Sequence, residues 1–193
     1  MKQLRGTDLK RLHREWQRRT PGRVALLLDG VQSPWNVGAI VRTAAAYRVE
    51  HIWLAGGSTP PAHHRAKQLS LGTERYVTWS DPATAGAAVA EAHADGYQVV
   101  GIELAAGAVP LHALTVTGDV CLALGNEDHG LGTATLAVCD AVAYLPQLGR
   151  VGSLNVATAA AVAIYEIRRR AWIGPGAGVA APAEPPNGDP PAV

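Results

Sequence analysis

Apolar residues along the chain fall into short runs separated by polar and glycine-rich breaks. Val24–Leu28 is an unbroken apolar run, the mark of a strand covered on both faces. His51–Ala55, Arg75–Trp79, Tyr97–Ile102, Val120–Leu124 and Ala141–Leu145 read as further strands. A helix is predicted over residues 7–19, with Thr7 or Asp8 as its cap, Leu9, Leu12 and Trp16 on one face, and Pro21-Gly22 ending it. Further helices are predicted over Asn36–Tyr47, Ala83–Asp95 and Leu154–Ala171, with a short one around Thr133–Ala137. Asp29–Pro34 and Gly56–Pro61 read as loops, and His63 and His64 fall in a polar loop. Strands that are apolar throughout and alternate with helices predict an α/β fold, a mainly parallel sheet with helices on both faces. In such sheets ligands bind beyond the carboxyl ends of the strands, so the loops there are where chemistry is expected. The chain shows no internal repeat.

Composition sharpens this outline at its two ends. From Gly174 to Val193 there are six Pro, four Gly and two charges, which predicts a disordered tail over 174–193. At the other end, residues 1–23 carry eight basic side chains against Asp8 and Glu15, a net +6. The remaining residues carry −5, so the overall +1 averages two unlike parts. A basic arm on an acidic body points toward nucleic acid or an anionic surface, with a solvated amphipathic helix as the alternative. The expected organisation is an arm over 1–23, one domain over 24–173 and the tail.

Several function classes drop out. Cys121 and Cys139 are far apart, each in an apolar run, which fits buried thiols in a reduced, cytoplasmic protein and neither a disulfide framework nor a zinc site. Adjacent His63 and His64 diverge too much to hold a metal as a pair, so no metal is expected. No stretch reaches the ~18 apolar residues of a membrane helix, and the N-terminus is too polar for a signal peptide. The first predicted strand is followed by Asp29-Gly30-Val31-Gln32-Ser33-Pro34, which is no dinucleotide fingerprint, and no P-loop or nucleophile elbow occurs.

Three segments place polar residues where apolar runs end. In Asn36-Val37-Gly38-Ala39-Ile40-Val41-Arg42-Thr43-Ala44, Asn36 stands at a capping position, and Arg42 projects from the face opposite the core residues, as a surface Arg or toward a loop crevice. In Leu124-Gly125-Asn126-Glu127-Asp128-His129-Gly130-Leu131-Gly132, three glycines permit close backbone approach to a ligand, with Glu127 among them. The same segment also reads as a strand-to-helix turn capped by Asp128. In the third, Leu145 to Thr158, Ser153 reads most simply as a helix N-cap, whereas Asn155 in a first helical turn gives up helix propensity.

Together the three segments resemble the motifs of the SpoU (TrmH-like) RNA ribose 2′-O-methyltransferases, a branch of the SPOUT class: NVGAIVRTA, LALGNEDHGLG and LPQLGRVGSLNVATAAAVAIYE, in that order and spacing. The resemblance covers about Val24 to Arg170, with Ala157 standing where many members have Ser. It implies S-adenosylmethionine as cofactor, a homodimer, an RNA substrate and a deep C-terminal trefoil knot. Carried over by position, it assigns the cofactor to Leu124, Gly125, Leu145, Pro146 and Leu154, in a neutral, water-poor slot. It assigns the reaction to a buried Arg42, surrounded by Asn36, Glu127, Ser153 and Asn155.

A ribose hydroxyl is a poor nucleophile, so its proton must leave as the methyl transfers in line. A guanidinium is a poor base. Arg42 is therefore expected to clamp the target phosphate and stabilise the developing alkoxide, a phosphate oxygen taking the proton. Arg11, Arg14, Arg18 and Arg19, joined by Arg168–Arg170, are expected to meet backbone phosphates. KQLSLGTERYV (67–77) makes the chain look most like the tRNA members that methylate a D-loop guanosine. The 23S rRNA members, which commonly carry an extra N-terminal RNA-binding domain, are the runner-up. A non-catalytic RNA-binding module would predict damage to Arg42, Glu127 or Asn155, and an unrelated doubly wound nucleotide enzyme would predict a phosphate loop after the first strand.

Overall fold

A computed structural model describes residues 3–173, and the tail expected to be disordered lies outside them. Seven strands form one sheet: β1 (Val24–Asp29), β2 (His51–Ala55), β3 (Thr78–Ser80), β4 (Tyr97–Ile102), β5 (Val109–Pro110), β6 (Asp119–Leu124) and β7 (Ala141–Tyr144). Their spatial order is β3-β2-β1-β6-β4-β7-β5, and every neighbouring pair is parallel. β1 lies between β2 and β6, and its apolar run is buried on both faces, as a continuous hydrophobic strand requires.

The alternation of strand side chains builds two cores. Val24, Leu26 and Leu28 pack with residues of α2 (Pro34–Ala46) and α6 (Val156–Ile173) on one face. Ala25 and Leu27 pack with Trp53, Tyr97 and residues of α4 (Ala85–Ala94) on the other, with Leu136 of α5 (Thr133–Val138) against this core. The helix α1 (Gly6–Arg19) buries none of its residues and stays outside both layers.

Several local expectations are corrected. α1 starts one residue earlier than expected and has no side-chain cap at either Thr7 or Asp8. Ser33, not Asn36, caps α2, its Oγ accepting from the Asn36 backbone amide, with Pro34 at the first helical position. The segment read as a polar loop at His63 and His64 opens α3 (His64–Ser70), capped by His63 Nδ1, which accepts from the Arg65 amide. Residues 73–76 turn as a 3₁₀ helix, which confines β3 to Thr78–Ser80. β5 is a two-residue edge strand with no hydrophobic signal of its own. α5 follows Gly132, so Asp128 caps no helix. α6 begins at Val156, because Asn155 and not Ser153 caps it: Asn155 Oδ1 accepts from the amides of Ala157 (3.0 Å) and Thr158 (3.2 Å).

Candidate active site

The carboxyl ends of β4, β6 and β7 and the start of α6 enclose a cleft of about 280 Å³. Its floor is laid by the turn after β6. Asn126 and Gly130 exchange backbone hydrogen bonds (3.1 and 2.9 Å), closing residues 126–130 into a tight loop. Gly130 sits at φ +66°, a conformation that glycine adopts at no cost. A Cβ at Gly125 would overlap the Gly130 backbone, so this position admits glycine alone. Asn126 ties the turn to the neighbouring strand end, its Nδ2 donating to the Gly30 carbonyl at 2.7 Å.

With the turn fixed, Glu127 points toward the start of α2. Its carboxylate accepts from Asn36 Nδ2 (2.9 Å), the Ser33 amide (2.9 Å) and the Gln32 amide (3.2 Å). Because Ser33 serves as the cap, the Asn36 side chain is free to bridge: its Oδ1 accepts from Asn155 Nδ2 at 3.0 Å. Glu127, Asn36 and Asn155, drawn from three separate segments, thus form one hydrogen-bonded chain beside the cleft. Burial disfavours the charged form of Glu127, but the hydrogen bonds from Asn36, Ser33 and Gln32 outweigh it and hold the carboxyl below its ordinary value.

Of the residues assigned to the cofactor, Leu124, Gly125, Leu145 and Leu154 line the cleft, together with Ser153 and Glu127; Pro146, Asn36, Asn155 and Arg42 do not. The slot is not neutral. Glu103, Glu127 and Asp128 line it, and no Lys or Arg among the described residues does, so it suits a cationic or neutral ligand and opposes a phosphate. Gln147 adds a second feature: it lines the cleft, and its Oε1 is buried with no hydrogen-bond partner among the described residues. A buried acceptor left unpaired is costly, and a ligand N–H would satisfy it.

Glu103 and Gln147 belong to the site without standing in any expected role. Glu103 Oε2 accepts from the Leu131 amide (2.8 Å) and Oε1 from the Leu104 amide (3.0 Å), so this carboxylate braces the turn from the β4 side. A charged residue directly after the buried run Tyr97–Ile102 was the available signal. Gln147 carries none, since its burial depends on the cleft around it.

Arg42, expected to be buried, is exposed on α2 and makes no hydrogen bond or ion pair among the described residues. Arg11, Arg14, Arg18 and Arg19 are exposed along α1, where Arg11 lies 3.9 Å from Asp8 and Arg19 3.7 Å from Glu15. Arg168 is a clear correction. It is 3% exposed, and its guanidinium donates to the carbonyls of Tyr47, Gly22 and Arg48 at 2.9, 2.9 and 2.6 Å. Burial pushes its pKa down to about 10, which leaves it charged at neutral pH and fully engaged with backbone, out of reach of a phosphate. Arg169 and Arg170 pair with Glu166. No helix among the described residues is long and apolar enough to cross a membrane.

Comparison with known proteins agrees with this architecture. The model of the SpoU rRNA methylase family matches residues 23–165. A 23S rRNA (guanosine-2′-O-)-methyltransferase RlmB from Acinetobacter baylyi is 32% identical over 146 residues, covering 75% of this chain and 59% of the relative. A tRNA (guanosine(18)-2′-O)-methyltransferase from Escherichia coli is 31% identical over 157 residues, covering 79% of this chain and 66% of the relative. The chain therefore spans less than two-thirds of the length of these relatives. Among solved structures, an AdoMet-bound rRNA methyltransferase from Sinorhizobium meliloti is 33% identical, with a TM-score of 0.72 over 77% of this chain and 56% of that one. The SpoU methyltransferase AviRb from Streptomyces viridochromogenes, in complex with AdoMet, is 27% identical, with a TM-score of 0.72 over 82% of this chain and 62% of that one. The hydrogen-bonded chain of Glu127, Asn36 and Asn155 and the cleft beside it lie inside the matched span, and the protein belongs to the SpoU rRNA methylase family.

Proposed function

We propose that the protein is an S-adenosylmethionine-dependent RNA ribose 2′-O-methyltransferase. The observation that carries this reading is the Glu127–Asn36–Asn155 chain, which joins the three motif segments at the rim of a carboxyl-end cleft. The cleft fits the cofactor chemically. Its carboxylates suit a sulfonium, Leu124, Leu145 and Leu154 suit an apolar body, and Gln147 Oε1 suits an amino donor. S-adenosylmethionine, when bound, supplies the activated methyl group.

The protein's own groups then have distinct tasks. Glu127 orients Asn36, and Asn36 with Asn155 fixes the start of α6 against the start of α2, which sets the wall on which a ribose is held. Ser153, exposed at the cleft edge, is placed to donate to the substrate. Arg42, free of partners among the described residues, clamps the phosphate next to the target ribose and stabilises the developing alkoxide while a phosphate oxygen takes the proton. Arg11, Arg14, Arg18 and Arg19 add backbone phosphate contacts that carry affinity without reading sequence.

The same reading includes a homodimer and the trefoil knot. Trp35 and Leu154, the sequence neighbours of Asn36 and Asn155, and Leu148 and Val151 in the loop after β7 are exposed apolar side chains that a second copy would cover. The loops after β6 and β7 share one cleft, as a knotted cofactor site requires. For the substrate, a tRNA D-loop guanosine is the first reading and 23S rRNA the second, since relatives of both kinds match at similar identity. Tritium transfer from labelled S-adenosylmethionine into total tRNA and into rRNA tests both. Label in tRNA alone supports the first, label in rRNA alone the second. Cofactor binding without transfer to either RNA would leave a binding module.

A further inference from the structure

A second cleft, of about 400 Å³, opens where the end of α1, the end of α2 and the end of α6 meet. Its walls are aromatic: Trp16, Tyr47, Tyr76 and Trp172 line it. Trp16 and Trp172 meet edge to face at 5.3 Å, and Trp172 Nε1 donates to Thr20 Oγ1 at 2.7 Å, which fixes the otherwise unburied α1 against α6. Arg168 holds the floor by binding the Tyr47 and Arg48 carbonyls from below.

The rim carries cations over these rings. The Arg19 guanidinium lies 4.8 Å from the Trp16 ring centre, and that of Arg75 lies 4.7 Å from the Tyr76 ring centre. His13 and Arg48 complete the rim, and among the described residues no Asp or Glu lines the cleft. Tyr76 is 63% and Trp16 40% exposed, a large apolar area to leave in water. Exposed aromatic rings, each with a guanidinium over one face and next to an arm of net +6, match a single-stranded nucleic acid: the uncovered ring surface takes a base by stacking and the cations take the flanking phosphates.

We infer that this cleft binds an unpaired nucleobase of the RNA, separate from the nucleotide that is methylated. Its distance from the first cleft supports the separation. Val156 lines the first cleft and Trp172 the second, and the sixteen residue steps of α6 from one to the other span about 24 Å. Along α2, Asn36 and the second-cleft residue Tyr47 are eleven residues or about 16 Å apart, so a nucleotide whose ribose sits beside Asn36 does not reach the second cleft with its own base. The second cleft therefore recognises an unpaired position elsewhere in a folded RNA. This inference rests on the proposed RNA methyltransferase activity.

The test uses the full chain, fluorescence anisotropy and two probes: labelled octa-adenylate RNA and an abasic ribose-phosphate octamer of equal charge. Octa-adenylate is expected to bind at least about fivefold more tightly than the abasic probe, the gain of one stacked base. Tyr76→Ala removes that difference and Tyr76→Phe restores it, while the dissociation constant for S-adenosylhomocysteine stays unchanged in both as a check on folding. Equal affinity for the two probes overturns the inference. So does a Tyr76→Ala protein that keeps full preference for octa-adenylate, or one whose only change is a shift from dimer to monomer in sedimentation, which would make the cleft an interface between copies. If no RNA accepts a methyl group but the ring-dependent preference holds, the methyltransferase reading fails and the base-binding cleft stands.

Discussion

Asn155 does two jobs with one amide, and the two can be separated. Its Oδ1 caps α6 and its Nδ2 donates to Asn36. Asn155→Ala loses both, and the lost cap alone costs about 1 kcal/mol, read as a lower Tm. Asn155→Asp keeps a good cap but lacks the donor and turns a carboxylate toward Asn36 Oδ1. That variant is expected to melt close to the parent while methyl transfer falls by about 100-fold, the cost of a misplaced reacting group. Equal activity in Asn155→Asp would show that the bridge to Asn36 positions nothing. Arg42 is tested at the same level. A lysine keeps the charge but cannot make the forked contact of a guanidinium to phosphate, so Arg42→Lys is expected to lower kcat at least tenfold with cofactor affinity unchanged. Near-normal turnover would remove the clamp from the mechanism.

Helix packing explains a glycine that the motif alone leaves without a reason. Gly38 lies in the first motif, yet it lines neither of the two clefts: a Cβ there would sit 2.5 Å from the Ala66 carbonyl oxygen and 2.9 Å from Leu69 Cβ. Its role is to let α3 lie close on α2, the helix that carries both Asn36 and Arg42. Gly38→Ala is expected to destabilise by about 1–3 kcal/mol, because backbone on both helices must move apart. Chemical denaturation would register this as a lower midpoint. A midpoint at or above the parent's, from the helix preference of Ala, would show that α3 yields freely. α1 is the opposite case, a helix whose amphipathic face finds no core of its own and is held by its last turn through Trp16 and Thr20.

Acid weakens this protein in two steps. His51, bonded to Thr78 and Ser80 across β2 and β3, is pushed below its ordinary value of 6.5 by burial, which outweighs nearby Asp95 and Glu91. The folded chain therefore refuses a proton that the unfolded chain accepts, and stability drops as pH falls below 6.5. Asp119 is held low by the Arg23 backbone amide first and its guanidinium second, and Glu127 is held low by its hydrogen bonds against burial. Their contributions are complete above their ordinary values of 3.8 and 4.5 and fade below them. Tm is expected to be flat from pH 8 to 7, to decline through pH 6, and to decline again below 4.5. His51→Asn should remove the first decline and leave the second. A Tm that rises between pH 7 and 5 contradicts this account.

Read as sequence, the chain already shows the α/β class, the strand β1 covered on both faces and the three segments that meet at the site, because strand burial and glycine-rich turns leave local, periodic marks. The resemblance to the SpoU family rests on those same segments. Tertiary structure decided the rest. Glu127, Asn36 and Asn155 become one chain only when segments far apart in sequence are brought to adjoining strand and helix ends. Glu103 makes an expected neutral slot acidic by arriving from β4. Arg168 reads like its neighbours at the end of a basic helix, yet it is buried, because three carbonyls from distant turns converge on it. A long polar side chain is inside or outside according to the partners that non-local contacts provide, and no periodicity along the chain encodes them.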